Sequence, residues 1–195
     1  TKGGGAAAGL ERDTGKIVWK VDRPKLPNYA SPIVLNVAGR DQVLLTGCDL
    51  VSGLDPMTGK KFCEVKGSTE ECVTSAVTDG RLVFTSGGYP KNHVAAFRGD
   101  GTGKLAWEKG TRVYVPSMLM HKGHLYAVLD AGMAVCWEGD SGKEVWRGRL
   151  GGTFSASPVL VGENSFATNE SGLTFIFKAT PKWVKMGGKK PLGQE

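Results

Sequence analysis

The sequence has no long hydrophobic run, and this absence excludes helical membrane proteins. No apolar stretch in its 195 residues approaches the ~20 residues that a membrane-spanning helix needs. Residues 1–12 also lack the charged and apolar regions of a secretory signal peptide. We therefore expect a soluble chain with no membrane span and no targeting information of its own.

Cysteine is scarce, and its spacing argues against two kinds of site. The four cysteines, Cys48, Cys63, Cys72 and Cys136, include no adjacent pair and no C-x-x-C zinc spacing. Two interpretations stay open for Cys63 and Cys72, which either approach and form a disulfide or remain buried free thiols. Cys48 and Cys136 lie in or beside predicted strands, where we expect them to pack as small apolar groups.

Charge of one sign is concentrated only near the C-terminus. The net charge is +6, but Lys and Arg alternate with Asp and Glu along most of the chain, and the one basic run is residues 178–195. A lysine-rich end is typical of a solvated tail. Arg interleaved with aromatic residues, which single-stranded nucleic acid needs, is missing. No specific nucleic-acid partner is expected.

An internal repeat dominates the sequence. A Gly-Lys pair recurs about every 40 residues in the segments ERDTGKIVWKV, DPMTGKKFCEV, GDGTGKLAWEK and GDSGKEVWRGR. Three positions after each Lys stands a large or soft side chain, and a degenerate fifth copy, ATPKWVKMGG, lacks the Gly-Lys pair. These positions are Trp19, Cys63, Trp107, Trp146 and, in the fifth copy, Trp183.

The repeat predicts an all-β fold, a β-propeller of four-stranded antiparallel blades. Each period holds four short runs of β-branched and aromatic residues separated by Gly, Asp and Asn turns, and no segment keeps a helical apolar period. Four strands per unit of ~40 residues are typical of a propeller blade. We expect one partial propeller domain over residues 1–195, with a half blade at 1–22 and blades at about 29–67, 72–110, 114–150 and 154–187.

Four and a half blades make an arc and not a closed ring. This count predicts that the ring is completed either by more of the same protein or by a second copy of the chain. An open arc exposes blade faces and strand edges, so we expect either a fragment of a longer protein or a half that completes its ring with a second copy. The five repeat positions Trp19, Cys63, Trp107, Trp146 and Trp183 are predicted to dock each blade on the next. The indole N–H of a tryptophan there would bond to a carbonyl that is otherwise buried without a partner.

The pattern GLERDTGKIVWK and its three cousins resembles the repeat of pyrroloquinoline-quinone-like (PQQ-like) β-propellers. This superfamily includes quinoprotein dehydrogenases and BamB-like envelope-assembly lipoproteins, and the resemblance covers nearly the whole chain. It implies a ring of seven or eight blades and a periplasmic or extracellular location in bacteria. It also implies that a quinoprotein site would need adjacent cysteines, a tryptophan floor and calcium ligands. Adjacent cysteines and a cluster of calcium ligands are not found here, so no cofactor is expected, and neither PQQ nor calcium is supported. His121 and His124 lack a third ligand nearby, and no metal site is expected.

The functional residues are predicted where the repeats differ from one another. The segments that lead into the innermost strands meet at one mouth of a propeller, and we expect the sister blades to lack the extended loop at 87–93. We interpret the chain as a non-catalytic binding or scaffolding module for a protein or other macromolecule. Part of a PQQ-dependent dehydrogenase and a glycan-binding propeller are the alternatives. The candidate binding residues are Tyr29, Glu70, Glu71, Arg112, Tyr114 and Phe154 at the mouth, with Tyr89 and His93 in the loop.

Overall fold

The computed structural model describes residues 5–189, all of whose regular elements are β-strands. The first sheet has two antiparallel strands, β1 (Gly5–Leu10) and β2 (Ile17–Arg23). Four sheets of four strands follow in chain order. Their strands are β3 (Ile33–Val37), β4 (Arg40–Gly47), β5 (Leu50–Leu54), β6 (Lys61–Lys66), β7 (Val77–Thr78), β8 (Leu82–Gly87), β9 (His93–Arg98), β10 (Leu105–Lys109), β11 (Leu119–His121), β12 (His124–Val128), β13 (Met133–Glu138), β14 (Glu144–Arg149), β15 (Val159–Val161), β16 (Asn164–Thr168), β17 (Thr174–Lys178) and β18 (Lys185–Lys189).

Each four-stranded sheet is an antiparallel meander, which is the blade that the repeat predicts. We number the two-stranded sheet blade 1 and the following sheets blades 2 to 5. The first strands of blades 2, 3 and 4, which are β3, β7 and β11, contact one another in turn. They are therefore the inner strands of an arc of a β-propeller. Residues 5–189 contain no helix with the length and apolarity that crossing a membrane requires.

The hydrophobic core lies between the blades. Separate clusters of buried side chains fill the interfaces of blades 1 and 2, 2 and 3, 3 and 4, and 4 and 5. Trp137, which is out of phase with the repeated tryptophans, is fully buried between blades 3 and 4. Since each blade buries its apolar faces only against its neighbours, the blades stabilise one another in series.

The Gly-Lys pair forms the turn into the outermost strand of a blade. Gly15, Gly59, Gly103 and Gly142 all have φ between 62° and 70°, a left-handed conformation that favours glycine. A β-bulge follows each turn, and the repeat position is the first residue after the bulge, as in the pairs Gly9–Trp19 and Cys136–Trp146. The repeated motif therefore encodes a turn, a bulge and the aromatic side chain that they direct.

Three of the repeated tryptophans each link their own blade to the next through a hydrogen bond. The indole Nε1 of Trp19 donates to the carbonyl of Pro56 at 2.9 Å, and that of Trp146 donates to the carbonyl of Thr180 at 2.8 Å. Trp107 donates to the carbonyl of Gly139 at 2.7 Å. A Cβ on Gly59 or Gly142 would overlap the ring of Trp19 or Trp107, respectively. The turn glycine of one blade thus also makes room for the indole of the blade before it.

The other two repeat positions, Cys63 and Trp183, differ from this arrangement. Cys63 is half-buried beside Gly53 of its own sheet, and Val65 lies against the turn glycine Gly103 in place of a tryptophan. Trp183 lies in the turn before β18, because Gly187 and not Trp183 occupies the position after the bulge. Its ring packs back on Trp146 with 4.8 Å between ring centroids. The sequence spacing misplaced Trp183 because the fifth copy lacks the glycine turn that sets the register.

Candidate binding site at the mouth edge

The segments between blades and the turns between second and third strands lie on one edge of the arc, which we call the mouth edge. The backbone N–H of Tyr29 donates to the carbonyl of Cys72 at 2.9 Å, joining two successive segments. The Tyr114 hydroxyl donates to Oε2 of Glu71 at 3.1 Å, and Glu71 forms an isolated antiparallel bridge with Tyr89. Tyr29, Glu71, Tyr89 and Tyr114 therefore belong to one connected surface, which we call the mouth patch together with Arg112.

Arg112 adds a positive charge to the mouth patch. Its guanidinium carbon lies 5.0 Å from the centroid of the Tyr114 ring, which is cation–π range. It also donates to the carbonyl of Gly88 at 3.3 Å. A Cβ on Gly88 would lie 2.6 Å from Cβ of Tyr114, so the loop after β8 packs closely on this tyrosine. The stacked Arg112 and the glycine hold Tyr114 in one orientation.

Two tyrosines of the mouth patch are open to solvent. Tyr29 is 64% exposed and Tyr89 is 50% exposed, whereas Tyr114 and Glu71 are half-buried. Glu70 is also half-buried, and its carbonyl accepts the backbone N–H of Cys48. Exposed aromatic rings over a fixed polar base supply contact area at low cost in side-chain entropy, as in many protein-binding surfaces.

Burial and hydrogen bonding set the ionisation of Tyr114. Burial, followed by the hydrogen bond to Glu71, raises the pKa of the Tyr114 hydroxyl. The hydroxyl therefore stays protonated and donates to the carboxylate. Tyr114 is thus a neutral side chain whose hydroxyl donates to the Glu71 carboxylate and whose ring lies against the Arg112 guanidinium.

Two of the predicted binding residues lie in the interior. Phe154 is 1% exposed and packs on Phe175 between blades 4 and 5, because the segment 153–155 turns its ring inward. His93 is 3% exposed and begins β9, so it is a strand residue and not part of an exposed loop. Burial lowers the pKa of His93, which favours a neutral imidazole. Neither side chain is presented at the mouth edge.

The loop after β8 is also not longer than its counterpart in blade 5. Five residues join β8 to β9, and five join β16 to β17. The sequence suggested an insertion because Pro90 and two glycines interrupt the strand pattern there. What distinguishes this loop is its contact with Tyr114 and the exposed ring of Tyr89.

Two polar residues that support the mouth patch were not predicted from the sequence. The Asp130 carboxylate accepts the backbone N–H of Tyr114 at 2.9 Å and that of Val115 at 3.3 Å. Asn28 donates to the carbonyl of Thr46 at 2.7 Å and accepts the backbone N–H of Cys72 at 3.2 Å. Both side chains accept hydrogen bonds from backbone N–H groups, which need partners when they are buried. Only the fold reveals which donors they serve.

The chain carries cysteine, histidine and acidic side chains, which are the types that redox and metal sites use. Its cysteines include no adjacent pair. Over residues 5–189, no three His, Cys, Asp or Glu side chains are grouped so that they could hold a metal ion. All four cysteines, which fall within this range, are free thiols. The open disulfide alternative for Cys63 and Cys72 is thus not the arrangement seen.

A groove of about 600 Å³ separates blade 1 from blade 2. It is lined by β1, by Trp19 and Arg23 of β2, and by Val43, Leu45 and Cys48 of blade 2. Arg23 is anchored across the interface by Ser52, by the carbonyl of Gly47 at 3.1 Å and by Glu64 at 3.6 Å. The groove reaches the mouth edge, where Cys48 forms part of its wall.

Comparison with known proteins finds the same architecture. A protein-family model described as outer membrane protein assembly factor BamB matches residues 3–120 and 91–184. The crystal structure of BamB from Moraxella catarrhalis is similar with a TM-score of 0.74 at 18% sequence identity. This likeness concerns the fold, and it covers 96% of this chain and 59% of that one, so this chain spans less than two thirds of that structure. No curated protein sequence matches the chain.

Proposed function

Because the chain belongs to the family of the outer membrane protein assembly factor BamB, we propose that it is a non-catalytic binding module for a protein partner. We place this module in the bacterial cell envelope, on its periplasmic or outer side. The observation that carries the proposal is the mouth patch, where segments from successive blades converge on Tyr114 and Glu71. The location is supported by the description of the family.

The chemistry of the mouth patch favours a protein partner. Tyr29 and Tyr89 present exposed aromatic faces, and Arg112 and Glu71 supply charges of opposite sign. Tyrosine and arginine are the residues that most often dominate protein-binding surfaces. The blades beneath fix the positions of these side chains, which limits the entropy lost on binding.

A site-specific cross-linking experiment tests this proposal. A photoreactive phenylalanine analogue replaces Tyr29 or Tyr89 in the protein expressed in its bacterium. The matched control is Met57, which is 78% exposed in the turn between β5 and β6 on the opposite edge. We expect a discrete cross-linked species from both mouth positions and none from Met57.

The nature of the cross-linked species separates the alternatives. A species removed by protease supports a protein partner, whereas one that resists protease and is cleaved by periodate indicates a glycan. Equal yields at position 57, or no product at either mouth position, would contradict binding at the mouth patch. Recovery of the protein outside the inner membrane, when the cells are converted to spheroplasts, checks the envelope location. Retention in the cytoplasm would overturn it.

The dehydrogenase alternative has its own test. Addition of PQQ and calcium to the purified protein is expected to leave an electron-acceptor dye oxidised in the presence of alcohols. Dye reduction that depends on both additions would replace the binding proposal with an enzymatic one.

A further inference from the structure

Two cysteines that are distant in the sequence lie on adjoining segments of the mouth edge. Cys48 is in the turn between β4 and β5, and Cys72 is in the segment between β6 and β7. The backbone N–H of Cys48 donates to the carbonyl of Glu70 at 2.7 Å, and that of Asp49 donates to the carbonyl of Thr69 at 3.2 Å. The turn and the segment therefore run side by side, and Cys72 follows two residues after the first of these acceptors.

The contacts of Cys72 link its thiol to the backbone that precedes Cys48, while the Cys48 thiol donates to the carbonyl of Leu26 at 3.6 Å. Sγ of Cys72 lies 3.0 Å from Oγ of Ser68, and the same Oγ accepts the N–H of Gly47, the residue before Cys48, at 3.2 Å. The Cys72 thiol also lies 3.8 Å from the carbonyl of Thr69, which accepts the backbone N–H of Asp49. Burial raises the pKa of the Cys48 thiol.

The backbone at Cys48 is unusual for a cysteine. Cys48 and Asp49 have φ of 57° and 60°, the left-handed pair of a tight hairpin turn that favours Asn and Gly. The two-residue turn between β4 and β5 requires this conformation, and it fixes the backbone that carries the Cys48 side chain. The exposed fraction of Cys48 is 6%, and that of Cys72 is 0%.

We propose that Cys48 and Cys72 form a reversible disulfide, and that the structure shows this pair in its reduced state. The groove between blades 1 and 2 gives a small disulfide oxidant, such as oxidised glutathione, access to Cys48. The Cys48 thiolate attacks a glutathione sulfur, forming a mixed disulfide and releasing one glutathione thiolate. The Cys72 thiolate then attacks the Cys48 sulfur and releases the second. The two protons lost by the cysteines pass to the glutathione thiolates, so two protein thiols are oxidised and one glutathione disulfide is reduced.

The remaining cysteines lie outside this pair. Cys63 is near the opposite end of its blade, paired with Gly53 and within the electrostatic reach of Arg40 and Asp100. Cys136 is fully buried between blades 4 and 5. The proposed pair thus involves Cys48 and not Cys63 as the partner of Cys72.

Peptide mapping after controlled oxidation tests the proposal. The full chain is incubated with oxidised glutathione, its free thiols are alkylated under denaturing conditions, and a non-reducing digest is analysed by mass spectrometry. We expect a linked pair of peptides containing Cys48 and Cys72, with Cys63 and Cys136 alkylated. The oxidised chain should melt roughly 5–10 °C higher than the reduced one, because the cross-link restricts the unfolded chain.

Three variants make the result decisive. The double variant Cys63→Ala, Cys136→Ala should form the same disulfide, whereas Cys72→Ser should leave Cys48 carrying glutathione. Cys48→Ser provides the reciprocal test and should leave Cys72 alkylated. Linkage of either residue to Cys63, or four alkylated cysteines after prolonged oxidation of the wild-type chain, would overturn the proposal.

Discussion

The indole N–H of Trp107 in blade 3 donates a hydrogen bond of 2.7 Å to the carbonyl of Gly139 in blade 4. Gly139 is buried, so its carbonyl has few other partners. The bond thus joins the outermost strand of one blade to the last turn of the next. The equivalent bonds of Trp19 and Trp146 repeat this relationship along the arc.

Trp107→Phe should destabilise the chain by removing this donor while keeping an aromatic ring. We expect a loss of ~1 kcal/mol in the free energy of unfolding for Phe and ~3 kcal/mol for Trp107→Ala, which also removes packing. Urea unfolding followed by fluorescence measures both. The control is Leu105→Ala in the same strand, where the side chain is 48% exposed. An equal effect of Trp107→Phe and Leu105→Ala would contradict a role for the hydrogen bond.

Gly88→Ala should disturb the mouth patch without a backbone penalty. Its Cβ would lie 2.6 Å from Cβ of Tyr114, so the loop or the tyrosine must move, at a cost of ~1–3 kcal/mol. We expect a lower cross-linking yield from position 89. Gly110→Ala is the matched control, since a Cβ there meets nothing within 4 Å. Unchanged yield in the Gly88 variant would show that the loop position is irrelevant to binding.

Glu71→Gln should lower the pKa of Tyr114. Burial is the larger cause of the raised pKa, so it will remain above the usual tyrosine range, but the charged acceptor is lost. Carbon NMR of the tyrosine ring during an alkaline titration measures the shift, with Glu70→Gln as the neighbouring control. A Tyr114 pKa that stays constant in the Glu71 variant would mean that the hydrogen bond is absent in solution.

Cys136 should make stability depend on alkaline pH. Burial raises its pKa from 9.0 to about 12. A raised folded-state pKa stabilises the protein fully below the unfolded value of 9.0, and the contribution is lost as pH rises towards 12. Urea midpoints at several pH values should therefore fall more steeply above pH 9 for the wild type than for Cys136→Ala. Parallel slopes would indicate that the folded thiol ionises normally.

The fold was predictable because each repeat has the same pattern of turn glycine, bulge and following side chain. The turn glycines Gly15, Gly59, Gly103 and Gly142 share one conformation, and the residue after each bulge, a tryptophan in three of the four, can be recognised from its spacing. Trp183 was misplaced because the sequence shows that the glycine turn is lost but not where the outermost strand then begins. The pairing of Ile176 with Gly187 shows this.

The site was less predictable because exposure depends on how neighbouring blades pack. Tyr29 and Phe154 occupy equivalent segments in the sequence, yet one is 64% exposed and the other 1%. The aromatic residue type is compatible with both environments. Cys48 and Cys72 lie in different blades, and only the hydrogen bonds between the turn and the connecting segment bring them together.

The two edges of the arc differ in how much change they can absorb during evolution. The turn between third and fourth strands, which carries the indole acceptor in blades 2, 4 and 5, has five or six residues in all four of these blades. The connections between second and third strands range from two residues after Gly47 to five after Gly87. A longer turn on the first edge would move the acceptor away from the preceding blade and weaken two blades at once. The connections at the mouth edge hold no indole acceptor, so their lengths are not constrained in this way. New binding specificities can therefore arise there by exchange of loops while the arc keeps its shape.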